Sequence, residues 1–141
     1  FGCKIGMNVV IKPWVKIKFP WKLILGNAVW LGESVWIDNI SEVNIGNNVC
    51  ISQGALFITG NHNYSSEYFE LISKPITIED GVWVCAKSIV VGGITIHSHA
   101  ILAIHSMALQ DLKSYSIGVS ELIAPFTSPK STQDLISLID L

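Results

Sequence analysis

Charge is scarce in this chain: 14% of its 141 residues are charged, and the formal net charge is −2. A nucleic-acid partner needs a basic footprint to meet its phosphates, and none is present. Long apolar runs are missing too. No stretch approaches the eighteen or more apolar residues of a membrane-spanning helix, although half of all residues are hydrophobic. No basic segment followed by a short apolar core marks a secretory signal. Cys3, Cys50 and Cys85 are odd in number and lack the close pairing of a zinc or redox motif. Reduced thiols in a cytoplasmic protein are the expectation. The chain opens Phe1-Gly2-Cys3 rather than on Met, so it reads as a fragment or as lacking an N-terminal segment.

What is abundant is aliphatic, and it recurs at every sixth position. Ile5, Ile11 and Ile17 form one ladder, Leu25, Leu31 and Ile37 a second, and Ile45, Ile51 and Phe57 a third. The count resumes at Ile78, Val84, Val90, Ile96 and Leu102. Helices repeat at three to four residues and strands at two, so neither alone accounts for a period of six. A β-solenoid does: each hexapeptide is a short strand plus a corner, with every sixth side chain stacked inside. The position four residues later is small or β-branched as well (Val9, Val29, Val49, Ala55, Val82, Ala100). The expectation is an all-β fold of about five coils, roughly 24 Å tall at about 4.8 Å per layer.

The ladders advance by twenty residues from Ile5 to Leu25 to Ile45, where three plain hexads would give eighteen. The extra residues fall after the third hexad each time, and so does the longer insertion 58–77. With three hexads per coil, every insertion lies on one edge of a triangular prism. Repeat proteins push variation into loops on one face, often the binding face. That edge carries Asp38, Asn39 and Gly60-Asn61-His62-Asn63. Beyond Leu109 the hexads fade, and Asp111–Ser116 reads as a turn leaving the prism. Ser131–Leu141 reads as a short amphipathic helix. The organisation expected is a solenoid domain over 1–110, with inserted loop 58–77, and an extension over 111–141. Few charges on so apolar a chain point to subunit contacts outside the core.

Particular segments carry a family resemblance: Gly26-Asn27-Ala28-Val29-Trp30-Leu31-Gly32-Glu33, Trp36-Ile37-Asp38-Asn39, Thr59-Gly60-Asn61-His62-Asn63 and Lys74-Pro75-Ile76-Thr77-Ile78 through Trp83. The chain resembles the hexapeptide-repeat acyltransferases, within them the O-acetyltransferases of colanic-acid and exopolysaccharide biosynthesis, over about residues 1 to 96. The resemblance implies a left-handed parallel β-helix, a homotrimer, and acetyl transfer from acetyl-CoA to a hydroxyl of a sugar or lipid-linked saccharide. It also implies that His62 is the general base. A sugar hydroxyl is a poor nucleophile at neutral pH, and an imidazole suits the task of taking its proton. Asp38, Asn39 and Asn61 are then acceptor-binding candidates, and Trp83 and Ala86 lie on the cofactor side. A corner turn in which Asp38 and Asn39 bond backbone is the alternative for that pair, as subunit packing is for Trp83.

The departures lie in the last coils. Where the family has small residues along the pantetheine groove and then a Lys, this chain has Ile104, His105 and Gln110. Their bulk and lost charge bear on CoA binding. Two other readings follow from the residues: a non-catalytic trimeric scaffold or glycan binder, and a γ-carbonic-anhydrase-like zinc enzyme drawing on His62, His97, His99 and His105. The metal expectation is none.

Overall fold

In a computed structural model that describes residues 2–120, the ladders wind into three parallel sheets that form the walls of a prism. Sheet one stacks Lys4–Ile5, Leu23–Leu25, Val43–Ile45, Ile76–Ile78 and Thr95–Ile96. Sheet two stacks Val10–Ile11, Trp30–Leu31, Cys50–Ile51, Trp83–Val84, Ile101–Leu102 and Ile117–Gly118. Sheet three stacks Lys16–Ile17, Trp36–Asp38, Leu56–Ile58, Ile89–Val91 and Met107–Ala108. Register is in step with the sequence ladders: Leu25 faces Ile45, Ile45 faces Ile78, and Leu31 faces Ile51. The parallel three-walled solenoid is that expected of a left-handed β-helix.

The count exceeds five coils, because parallel pairing continues past residue 110. Leu112 bridges Ile96, and Ile117–Gly118 pairs with Ile101–Leu102. Asp111–Ser116 therefore stays on the prism rather than leaving it. The hexad signal was lost there because Leu112 follows Ala108 by four positions rather than six, which puts the next rung out of phase. The helix expected over 131–141 lies outside the described residues.

Inside, Leu31, Ile37, Ile51, Phe57, Val84, Val90 and Ile96 are fully buried. Each such side chain contributes roughly 1.5–3 kcal/mol relative to exposure. Two of the three edges turn by one device. The third residue after each stacked aliphatic has positive φ: Asn8, Ala28, Asn48, Gly81, His99 and Tyr115 between sheets one and two, and Trp14, Ser34, Gly54, Lys87 and His105 between sheets two and three. For a residue with a Cβ this costs roughly 1–2 kcal/mol, which stacked coils offset with inter-coil hydrogen bonds such as Trp30 N–H to the Val49 carbonyl at 2.9 Å.

The edge between sheets three and one is different, as the insertions foretold. In the first three coils it carries a 3₁₀ turn at Pro20–Lys22, the bend around Asp38–Glu42, and an antiparallel hairpin of Gly60–His62 with Leu71–Ser73. In the fourth coil, which has no insertion, it reverts to a tight turn at Gly93 with φ of +90°.

Candidate active-site edge

The hairpin is seated on the coil beneath it. Ser41 N–H donates to Thr59 Oγ1 at 3.0 Å, the Ser41 and Ser73 hydroxyls meet at 2.7 Å, and Thr59 is buried. Gly60 lets the strand pass close over Ile40, whose Cδ1 methyl would stand 2.7 Å from an added Cβ and would have to turn aside. On the other side the hairpin base rests on Gly92, where a Cβ would approach the Thr59 carbonyl to 2.6 Å. The coils on either side thus fix where the hairpin leaves the prism.

His62 ends the first hairpin strand, opposite Leu71. Its side chain is exposed, and its ring stacks on Phe69 with centroids 4.4 Å apart and planes within 7°. Its Nδ1 lies 3.0 Å from the Phe69 carbonyl oxygen. Asn61 precedes it in the strand, so the two side chains leave opposite faces. The Asn61 Oδ1 accepts the His62 backbone N–H at 2.8 Å. A cleft of about 340 Å³ opens between the hairpin and the outer edge of sheet three, lined by Ile58, Asn61, Ile72, Lys74, Val91 and Gly92 among others. Asn61 lines it and His62 does not.

Asp38 and Asn39 lie one coil below, on the same edge. The Asp38 carboxylate meets the Lys18 ammonium at 2.9 Å through a buried Oδ1, which accepts no well-aligned hydrogen bond from the described residues. Asn39 is fully buried, and its amide brackets Phe19: Oδ1 accepts the Phe19 N–H at 3.0 Å and Nδ2 donates to the Phe19 carbonyl at 2.8 Å. Both ends of that amide are used in holding the first coil to the second. Only Asp38 of the pair keeps an exposed fraction.

Trp83 and Ala86 lie elsewhere. Trp83 stands on the outer face of sheet two, 47% exposed, with its indole N–H on the Ser52 hydroxyl at 2.9 Å. Ala86 sits on the edge between sheets two and three, where its carbonyl accepts the His105 N–H at 3.0 Å. Ile104 projects beside it, 69% exposed. Sheet three separates these residues from His62, so one chain does not bring the two groups together. The histidines are likewise dispersed: His62 on the hairpin, His97 and His99 between sheets one and two, His105 between sheets two and three. Among the described residues no three His, Cys, Asp or Glu side chains converge in a metal-binding arrangement.

Two residues that the ladder pattern did not single out shape the hairpin. Ser66 donates its hydroxyl to Glu70 Oε1 at 2.7 Å, and that bond, with a backbone one, holds the Glu70 carboxyl below its ordinary range. The Ser-to-Glu spacing of four was the only sequence signal of this clasp. Elsewhere, burial and then the neighbouring Cys50 push the Cys85 thiol up, so it is not an activated nucleophile.

Comparisons with known proteins bear on this geometry. No family model matches the chain. The protein named as the colanic acid biosynthesis acetyltransferase WcaF of Escherichia coli is 38% identical over 112 residues, which are 79% of this chain and 62% of that protein. The chain is similar to the hexapeptide-repeat acetyltransferases. Galactoside O-acetyltransferase of Escherichia coli is 26% identical over 77% of this chain and 55% of its own length. A hexapeptide-repeat acetyltransferase of Vibrio cholerae, solved with acetyl coenzyme A, superposes with a TM-score of 0.74 at 25% identity, covering 79% of this chain and 63% of that one. This hexapeptide-repeat chain thus spans about three fifths of the length of the curated relatives it matches. No helix among its described residues is long and apolar enough to cross a membrane.

Proposed function

We propose that the chain is an O-acetyltransferase that moves acetyl from acetyl-CoA to a sugar hydroxyl of a surface polysaccharide or its lipid-linked precursor. The observation that carries this reading is His62, presented at the end of the first strand of an anchored hairpin with one ring nitrogen tied to a carbonyl and the other exposed. The exposed nitrogen takes the proton of the acceptor hydroxyl as its oxygen attacks the thioester carbonyl carbon. Collapse of the tetrahedral intermediate breaks the C–S bond, and the proton passes to the departing thiolate. Asp38 is the acceptor contact on the coil beneath, and Asn61 supports the base through its Oδ1, which accepts the His62 backbone N–H at 2.8 Å. A donor thioester made inside the cell puts the reaction in the cytoplasm.

The cofactor side is the edge of Ala86, with Trp83 on the adjoining sheet. That edge fits an acyl-pantetheine arm beside Ala86, and is crowded one coil further on by Ile104 and His105. Because sheet three lies between this edge and His62, we infer a homotrimer whose sites are shared by neighbouring prisms. Exposed Trp30, Trp36 and Trp83 on sheets two and three supply apolar surface for that contact. The crowding at Ile104 favours one second reading, a scaffold that keeps the trimer and has lost CoA.

Titration of acetyl-CoA into the protein, followed by thiol release with candidate sugars, separates the two. His62→Ala should lower kcat by about 10²–10⁴-fold and leave CoA affinity and trimer mass unchanged. A variant keeping more than half the parent rate refutes His62 as base, and light scattering that gives a stable micromolar monomer refutes the shared site.

A further inference from the structure

Phe69 touches His62 twice, through its carbonyl oxygen at Nδ1 and through its ring face. An extended residue directs its carbonyl along the sheet and its side chain away from it. Phe69 escapes that constraint by adopting the left-handed region, with φ of +48°, where a bulky residue is an outlier in need of a reason. The surrounding loop holds it there. Phe69 N–H donates to the Ser66 carbonyl at 3.2 Å, Asn63 N–H to the Glu70 carbonyl at 2.9 Å, and Ser66 Oγ to the Glu70 carboxylate. None of these contacts is needed to stack the solenoid, which winds through its other corners without a hairpin.

A carbonyl oxygen only accepts hydrogen bonds, so Nδ1 must carry the hydrogen whenever this bond is made. The neutral imidazole then has its lone pair on Nε2. One exposed hydrogen bond alone leaves the ring free to swing away from the carbonyl, and the stacked phenyl removes that freedom. We propose that Phe69 is the positioning residue of His62: its carbonyl selects the Nδ1–H tautomer, and its ring fixes the plane in which Nε2 meets the acceptor hydroxyl. This rests on His62 being the base. In the step itself the acceptor proton moves to Nε2, while Nδ1 keeps its own hydrogen, donated to the Phe69 carbonyl.

The test is a two-bond ¹⁵N–¹H correlation spectrum of the ¹⁵N-labelled full chain, recorded above pH 8, with the His62 signals identified by their loss in His62→Ala. In the parent, Nδ1 should resonate as protonated and Nε2 as unprotonated. Phe69→Leu keeps the carbonyl but removes the ring face that holds the imidazole in line with it; the imidazole then turns out of the bond, so the variant should mix the tautomers and lower kcat about tenfold at unchanged KM for acetyl-CoA. Phe69→Tyr should restore both. Phe69 is 56% exposed, so these variants should fold, and an unchanged thermal midpoint checks that. A parent with its hydrogen on Nε2, or a Phe69→Leu variant with the parent's single tautomer and full kcat, overturns the proposal. The tautomer needs no acceptor to be read. A chain with the Nδ1–H form, lost in Phe69→Leu, upholds the positioning even if no acetyl transfer is found, in which case only the enzymatic reading fails.

Discussion

Removing the amide of Asn39 should cost stability and leave acceptor binding alone. Asn39→Ala deletes the donor and the acceptor that bracket Phe19, at 2.8 and 3.0 Å. Two neutral hydrogen bonds are worth about 1 kcal/mol each, and leaving partly buried backbone groups unpaired raises the total to roughly 2–4 kcal/mol. At about 2.1 cal/mol/K per residue, the described residues 2–120 have an unfolding entropy of about 0.25 kcal/mol/K, so the midpoint should fall by about 8–16 °C. Differential scanning calorimetry on parent and variant reads the shift, and steady-state kinetics at a temperature where both are folded reads KM for the acceptor. The expected pattern is a lowered midpoint with KM unchanged. An unchanged midpoint with KM raised tenfold would show that the amide faces substrate and that the bracket is not what holds the first coil.

Three further outcomes follow from the same geometry. Ser98, through its hydroxyl and then its N–H, with a smaller part from His97, holds the Glu79 carboxyl below its ordinary 4.5. A depressed folded pKa favours the fold above that value and loses its effect as pH falls through it. The urea-midpoint gap between parent and Glu79→Gln should therefore be steady near neutrality and close as pH drops below about 4.5; a gap that widens in acid would refute the assignment. Lys87→Gly should raise stability by up to about 1 kcal/mol, since Lys87 holds a φ of +55° that glycine adopts without strain, and a destabilised variant would mean that its side chain contributes more than its backbone costs. The triple variant Ile104→Ala, His105→Gly, Gln110→Lys should tighten CoA binding about ten- to a hundredfold by calorimetric titration, equivalent to roughly 1–3 kcal/mol; an unchanged Kd with the trimer intact would put the groove elsewhere.

The six-residue rhythm determined the solenoid by itself. Stacking is a local rule repeated, so each rung announces its own place, and Ile45, Ile51 and Phe57 could be assigned to three walls before any coordinate was known. The single variable edge was legible for the same reason, because an insertion shows as a phase shift against a regular count. Where the phase slipped without an insertion, between Ala108 and Leu112, the rhythm misled and the next rung went unseen. Side-chain roles at the variable edge were a different matter. Asp38 and Asn39 are adjacent and both polar, yet one meets a lysine and the other is buried in a bracket around Phe19, because a bend alternates what it turns inward. Asn61 and His62 are adjacent too, and strand geometry sends them to opposite faces. The stacking of Phe69 on His62 depends on a hairpin register and a left-handed residue seven positions away. Such partners are chosen by how the chain returns on itself, and that was decided only in the tertiary structure.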